Sequence, residues 1–470
     1  MMDALLPPFG TVAGEVARAA IVSAVLLLLF AGAEVWKRLG NPPPEWTRKL
    51  VHFGGGVVAA GFPWVFAWHW TVLVLGFAFA TIIFASRRMG MLGSIHGVER
   101  RSQGGIYYPI AIYLVFLLAA DEPVFYLISL LVLMVSDTLA ALLGTEYGRQ
   151  FYAVETDRRS LEGSAAFFLT TFLAVHLPLL LLTDIDRGAS VLIAAQIALT
   201  VTIFEGISVQ GSDNLVVPLT TYFLLSIMTP QTAGFVARQL AALLVITVLV
   251  GLLAWRYRFV AMSSAMGLAL GVYGAYAMGG SEWTIAPGLA VLWFAGFFAA
   301  SRRVAPDAPQ TYHIRGLFYV ALVPVSLFFL NSGLEKLAPE RLRPASPDPL
   351  YVPFVGVVAA QLMIVILAHV IDVGMRRRRA AVSLATSGAI LGFVAVVPVG
   401  LAVGATGLTV EGLLAAGVIC TVSQALYLSV RRLPAWPKVQ PWDARLQTLS
   451  AAVAMALVLP LHLWHIRAFG

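Results

Sequence analysis

Long apolar runs broken by short polar punctuation dominate the chain from residue 17 onward. A bilayer core about 30 Å thick needs roughly 20 apolar residues of helix, or about 17–25 with tilt. By that rule the pattern predicts about sixteen spans. In the first half they fall at 17–36, 51–67, 69–85, 104–120, 123–144, 161–183, 189–205, 214–230, 235–255 and 258–278. The second half adds 283–301, 314–332, 350–373, 381–401, 408–430 and 446–466. Trp, His or a polar loop interrupts the second and third spans, and likewise the seventh and eighth. The pattern therefore predicts an all-α, polytopic integral membrane protein.

Composition narrows the class. Of 470 residues, 59% are hydrophobic and 12% charged, against about 45–50% and about 25% in soluble domains. This excludes a soluble enzyme, a disordered chain and a disulfide-knit secreted protein. A single cysteine, Cys420, also excludes an intramolecular disulfide or a cysteine-based zinc cluster. The net charge of +7 is explained by topology, so nucleic acid is not an expected partner. Most of the 31 Lys and Arg residues stand in loops after odd-numbered spans. The positive-inside rule places those loops in the cytoplasm and both termini on the opposite side. The run Arg376-Arg377-Arg378-Arg379 and the pair Arg431-Arg432 read as topology anchors of this kind.

Polar residues are sparse, so their clustering carries information. Four clusters fall on the same expected membrane face. The first is Arg48-Lys49-Leu50-Val51-His52-Phe53-Gly54-Gly55-Gly56. On a helix Arg48, Lys49 and His52 share a face, and two cations with an imidazole beside glycines suit a phosphate that approaches backbone closely. The second, Glu99-Arg100-Arg101-Ser102-Gln103-Gly104-Gly105, reads most simply as a solvated cytoplasmic loop.

The third cluster is the sharpest. Ser136-Asp137-Thr138 lies inside the apolar fifth span, with Ala140, Ala141, Gly144 and Gly148 on the same helical stripe as Asp137. A carboxylate there costs about 2.5–3.5 kcal/mol at a helix centre on insertion scales, so it signals function. The stripe of small residues would let a metal-bound phosphate come close. Beyond it stands Arg158-Arg159-Ser160-Leu161-Glu162-Gly163-Ser164. Ser160 is a candidate N-cap, and two arginines at a helix N-terminus make an anion site. Glu162 would then hold Mg²⁺ or orient a hydroxyl.

The fourth cluster is Glu205-Gly206 and Gly211-Ser212-Asp213-Asn214-Leu215, closed by Pro218. It carries no basic residue although it faces the basic side, which suits a divalent metal brought by a nucleotide. Together the clusters supply what phosphoryl transfer needs: cations for phosphate oxygens, carboxylates for Mg²⁺, helix N-termini and glycines. No GxxxxGK[ST] loop and no GxGxxG after a strand competes with this reading.

These residues resemble the CTP-dependent membrane kinases of isoprenoid alcohols, the phytol, farnesol and dolichol kinases, with the yeast-type CTP-dependent diacylglycerol kinase. The pattern Arg-Lys-x-x-His stands at Arg48, Lys49 and His52, and Asp-x-x-Ala-x-x-x-Gly-x-x-x-Gly at Asp137, Ala140, Gly144 and Gly148. A basic residue before Ser-x-Glu-Gly stands at Arg159, Ser160, Glu162 and Gly163, and Asp-Asn-Leu with a following Pro at Asp213, Asn214, Leu215 and Pro218. One departure is Arg159, where the family more often has Lys, a change from point charge to planar fork.

The resemblance covers roughly residues 15–230. It implies transfer of the γ-phosphoryl of CTP to a lipid alcohol such as phytol, geranylgeraniol, a polyprenol or dolichol at the cytoplasmic interface. Asp137 and Asp213 would bind the Mg²⁺–nucleotide, and Arg48, Lys49 and Arg159 would clamp phosphates. His52, Gly144, Gly148, Ser160 and Asn214 would complete the nucleotide site, and Glu162 or Glu205 would position or deprotonate the hydroxyl.

This divides the chain into an expected catalytic membrane domain, 1–232, and a second polytopic domain, 233–470, without the motifs. Within enzymes, a diacylglycerol kinase or a phosphatidate cytidylyltransferase remains an alternative. The latter's C-terminal Lys-Asp…His-Gly-Gly…Asp-Arg signature is absent here. Sixteen spans also fit a lipid transporter or flippase, although charges gathered at one interface favour chemistry on a lipid head.

Overall fold

The computed structural model describes residues 7–89, 103–155, 157–304, 314–337, 348–374, 393–394, 396–403, 409–433 and 442–469. The protein is an all-α, multi-pass integral membrane protein. Among the described residues, 11 helices are long and apolar enough to cross a membrane, and two shorter apolar ones accompany them, Gly104–Leu118 and Asp213–Met228. The expected span 381–401, the anchor Arg376–Arg379, and Glu99, Arg100, Arg101 and Ser102 of the second cluster lie largely or wholly outside the described residues.

The chain forms two compact units, Met1–Leu240 and Ala241–Gly470. The first begins with α1 (Val12–Gly40), α2 (Pro44–Ala60), α3 (Phe62–Val65) and α4 (His69–Arg88). It continues with α5 (Gly104–Leu118), α6 (Pro123–Leu131), a π-helical turn (Val132–Ser136) and α7 (Asp137–Tyr147). A β-hairpin, β1 (Phe151–Val154) with β2 (Asp157–Ser160), leads to α8 (Leu161–Leu182), α9 (Arg187–Ile207) and α10 (Asp213–Met228); α11 (Ala233–Tyr257) begins in this unit and has most of its length in the second.

Local sequence explains several boundaries. Proline at the first position starts α2 at Pro44, because its missing N–H would be unpaired there anyway. The helix thus begins ahead of the expected span at 51 and carries Arg48, Lys49 and His52 within it. Thr11, Ser160 and Asp186 cap α1, α8 and α9 through their side-chain oxygens. Two successive left-handed residues, Gln210 (φ 57°) and Gly211 (φ 83°), turn the chain between α9 and α10.

Two apolar clusters hold the first unit. One joins α1 to α6 through residues such as Phe30, Ala59, Phe62, Phe79 and Tyr126. The other packs Ile128, Phe167, Ile197, Val201 and Val217 across α6, α8, α9 and α10. In lipid these contacts act through close packing, since tails are as apolar as the side chains they replace.

The second unit contains α12 (Met262–Val304), α13 (Ile314–Leu337), α14 (Tyr351–Gly374), α15 (Val410–Arg431) and α16 (Trp442–Phe469). The expected spans 258–278 and 283–301 are joined in α12 across a kink at Gly280, which has φ 70° and ψ −162°. The span within α14 is 89% buried, which makes it the hub of this unit. Trp283 packs edge-on against Phe328 and Tyr351 around it. A buried ion pair, Arg431 Nε to Asp443 Oδ1 at 3.2 Å, receives a hydrogen bond from the Tyr427 hydroxyl.

Candidate functional site

The site is built around the start of α7. In the π-helical turn that follows α6, the Leu133 carbonyl meets His52 of α2: His52 Nε2 lies 3.1 Å from it and 3.0 Å from Asp137 Oδ2. A π turn interrupting a helix is a recurrent mark of functional sites. Lys49, one turn earlier on α2, donates from Nζ to Asp137 Oδ2 at 2.5 Å and to the Asp137 carbonyl at 3.0 Å. Both acceptors belong to one residue, so the lysine pins backbone and side chain together. The pair is deeply placed, with Lys49 2% and Asp137 14% exposed. Tyr108 of α5 donates to the His52 carbonyl at 2.8 Å and its ring lies 4.4 Å from the imidazole.

Arg48 is not part of this pair and binds Glu45 through both carboxylate oxygens. Burial opposes the Glu45 charge, but the Arg48 hydrogen bonds and the charges of Arg48 and Lys49 outweigh it and hold its pKa below the ordinary value. Glu45 was not singled out in the sequence, although its spacing three residues before Arg48 is the helical pairing distance. Tyr108 had no such signal.

The hairpin delivers Arg159. Alternation along β2 turns Arg158 outward, over the Phe151 ring at 4.8 Å, and Arg159 inward. Arg159 binds Glu205 of α9, and its Nη2 donates to Asp213 Oδ2 at 3.1 Å and to the Ser208 carbonyl at 3.4 Å. It staples three elements, and its charge is met by carboxylates. Asn214 donates to the Gly104 carbonyl at 3.0 Å, while the Gln103 N–H donates to Gln210 at 2.8 Å. These two bonds dock the start of α5 on the acidic loop.

A cavity of about 940 Å³ gathers much of this. Its polar end is lined by Glu45, Arg48, His52, Asp137, Asp213 and Asn214. Its other walls are apolar: Leu26 and Phe30 of α1, Ala59 of α2, Phe62 of α3, Val72, Leu75, Gly76 and Phe79 of α4, and Ile112 of α5.

Other expected site residues are used differently. Gly144 and Gly148 turn to α8 instead of the cavity: a Cβ on Gly144 would stand 2.9 Å from Ser160 Oγ and 3.3 Å from Gly163 Cα. Gly148 already lies beyond the end of α7, in extended conformation (φ −61°, ψ 126°), so the helical stripe stops before it. Their small size serves helix packing. Ser160 caps α8 by accepting from the Gly163 N–H at 3.1 Å. Glu162 accepts from the Gln150 N–H at 3.2 Å on a separate surface recess and does not line the cavity. Lys49, Arg159 and Glu205 are not in the lining: Lys49 and Arg159 hold the carboxylates of Asp137 and Asp213 that are, and Glu205 holds Arg159.

No family model matches the chain, and no solved structure matches it. A curated protein described as phytol kinase, from Synechocystis sp., is 35% identical over 189 residues, which cover 40% of this chain and 81% of that protein. With four-fifths of that relative's length matched at this identity, the chain belongs to the phytol kinase family.

Proposed function

We propose that the protein transfers the γ-phosphoryl group of CTP to the hydroxyl of an isoprenoid alcohol at the cytoplasmic face of the membrane. The observation that carries this reading is one cavity with a charged end and a long apolar wall. Its lining follows one stripe of α4, Val72, Gly76, Phe79, Ile83 and Arg88. At 1.5 Å per residue that stripe is about 24 Å long. An extended chain advances about 1.2 Å per bond, so a twenty-carbon isoprenoid alcohol, with a main chain of roughly sixteen carbons, would occupy about 19 Å of it. A much longer polyprenol would overrun it.

Kinases of this class use Mg²⁺ with the nucleotide. Mg²⁺ takes one or two protein carboxylates and completes its shell with phosphates and water. Asp137 and Asp213 line the same cavity and match that donor set. Among the described residues no cluster of three or more ligating side chains is present, so the phosphates would supply most of the remaining ligands. Held there, the ion would neutralise charge on the β- and γ-oxygens.

The chain's own residues do the rest. Arg48 turns from Glu45 to the phosphates, and Lys49 keeps the Asp137 carboxylate in place. The hydroxyl oxygen attacks the γ-phosphorus, the bond to the CDP oxygen breaks, and the hydroxyl proton passes to His52. The Leu133 carbonyl and the Asp137 carboxylate only accept hydrogen bonds, so His52 Nε2 carries the proton and Nδ1 is left as the base. Glu205 fixes Arg159 instead of touching the hydroxyl.

The test uses purified full-length protein in detergent with Mg²⁺ and γ-labelled CTP, UTP or ATP. The acceptors are phytol, geranylgeraniol, a long polyprenol and diacylglycerol, with Asp137→Asn in parallel. Label from CTP moving to the twenty-carbon alcohols, and lost in the variant, is the expected result. Label moving to diacylglycerol would replace the acceptor. Absence of transfer to every acceptor would end the kinase reading and favour lipid transport.

A further inference from the structure

The cations around the polar end of the cavity are unequally engaged. Arg48 is bound to Glu45, Lys49 to Asp137, and Arg159 to both Glu205 and Asp213. The charge of each is therefore already met by a carboxylate. Arg88 differs. It is the last residue of α4, it lines the cavity, and among the described residues no carboxylate pairs with it. Its guanidinium lies 4.8 Å over the Phe84 ring, and Phe84 lines the cavity too. Stacking on a ring face covers the plane of the guanidinium and leaves its edge, where the N–H donors are, open to an anion.

We propose that Arg88 is a phosphate-binding residue of this cavity, taking the phosphate anion at the rim where the apolar groove meets water. The proposal rests on the kinase reading and adds a residue that lies outside its sequence motifs. Two sources could bring that anion: the phosphate chain of CTP and the phosphate of the prenyl product. Arg88 stands at the end of the same α4 stripe that lines the tail's path, so a head group whose tail lies along Val72 to Ile83 reaches it. A helix C-terminus also favours a cation, and that is the plain competing use of an arginine here.

Equilibrium binding to full-length protein in detergent separates these uses, with CTP and with geranylgeranyl phosphate as separate probes. Arg88→Gln and Arg88→Lys are compared with wild type. Arg38→Gln is the charge control, since Arg38 is exposed, pairs with Glu34 and lies off the cavity lining. Loss of one charge-assisted contact predicts about a tenfold rise in Kd for Arg88→Gln, partial recovery in Arg88→Lys, and no change for Arg38→Gln. A rise for CTP alone assigns the anion to the nucleotide, and a rise for the prenyl phosphate alone assigns it to the product. Unchanged Kd for both probes in a variant that melts like wild type would overturn the proposal, as would binding of neither probe by wild type. Phosphoryl transfer to every acceptor can fail while these binding results stand, so the two readings fail separately.

Discussion

Replacing Asp137 by Asn removes the counter-charge of Lys49 while keeping nearly the same shape. Lys49 is 2% exposed and its ammonium has two acceptors, the Asp137 carboxylate and the Asp137 carbonyl. Breaking one side of a buried ion pair costs about 3–5 kcal/mol, because the remaining charge is left uncompensated. His52 loses an acceptor as well, but keeps the Leu133 carbonyl, so the estimate belongs at the lower end, about 3 kcal/mol. Lys49→Met leaves Asp137 with His52 as its close partner and should cost a similar amount. Removing both charges together leaves no buried orphan. The double variant should therefore recover most of one single loss, with a coupling energy of about 2–3 kcal/mol. Unfolding in mixed detergent micelles titrated with a denaturing detergent measures all four proteins. Strictly additive losses would refute the reasoning, since they would mean that Lys49 and Asp137 do not share their charges. Phosphoryl transfer should be lost in all three variants whatever their stability.

Further expectations follow from single contacts. Gly144→Val should lower the melting temperature and cost about 1–3 kcal/mol, because its Cβ would meet Ser160 and the Gly163 backbone; an unchanged melting point would show that α7 and α8 separate freely. Gly76→Phe should raise KM for a twenty-carbon alcohol by about tenfold and leave a ten-carbon alcohol unaffected, because a side chain there, its Cβ 3.4 Å from the Pro109 carbonyl of α5, narrows the cavity between α4 and α5. Glu45 has a depressed pKa in the folded protein, so its charge stabilises the fold above its ordinary value of 4.5, and that contribution is lost as pH falls through the lower folded pKa. Melting curves of wild type and Glu45→Gln should accordingly differ near neutrality and converge below pH 4.5; a constant gap across that range would contradict the assignment.

Helical spans were legible because nothing but length and apolar content is needed to mark them, and α8, α9 and α11 follow the pattern closely. Their meeting points were not. Asp137 announced itself by being charged inside an apolar run, and the Arg48-Lys49-His52 face by its helical spacing. Which cation meets which acid depends on how α2 packs beside α7, and no single-chain pattern encodes that. Lys49 was expected to touch phosphate; in the structure its ammonium is bound to Asp137. Gly144 shows the same limit: small residues on a stripe announce close approach, but not whether the thing approaching is a phosphate or another helix. Arg159 carries the same charge in both readings, and only the inward turn of β2 sets it against Glu205 and Asp213. The break between the spans 258–278 and 283–301 was legible around Gly279-Gly280; what the pattern did not show is that the chain crosses it as a kink at Gly280, without a polar loop.

The π-helical turn at Val132–Ser136 amounts to one surplus residue wound into the path from α6 to α7. A regular helix advances about 100° per residue, so an extra residue in regular winding would turn everything after it; the wider turn takes it up within one revolution. Upstream, Tyr126 faces α2, where it donates to the Ala59 carbonyl; downstream, Asp137 faces Lys49 and Gly144 faces Gly163. An insertion or deletion in the regular winding of α6 or α7 would swing one of these sets by about 100° while shifting it about 1.5 Å along the axis. No side-chain replacement nearby could repair that. A change of length is therefore better borne at the turn than on either side of it, because the turn is where the phase between two helical faces is reconciled with the number of residues joining them.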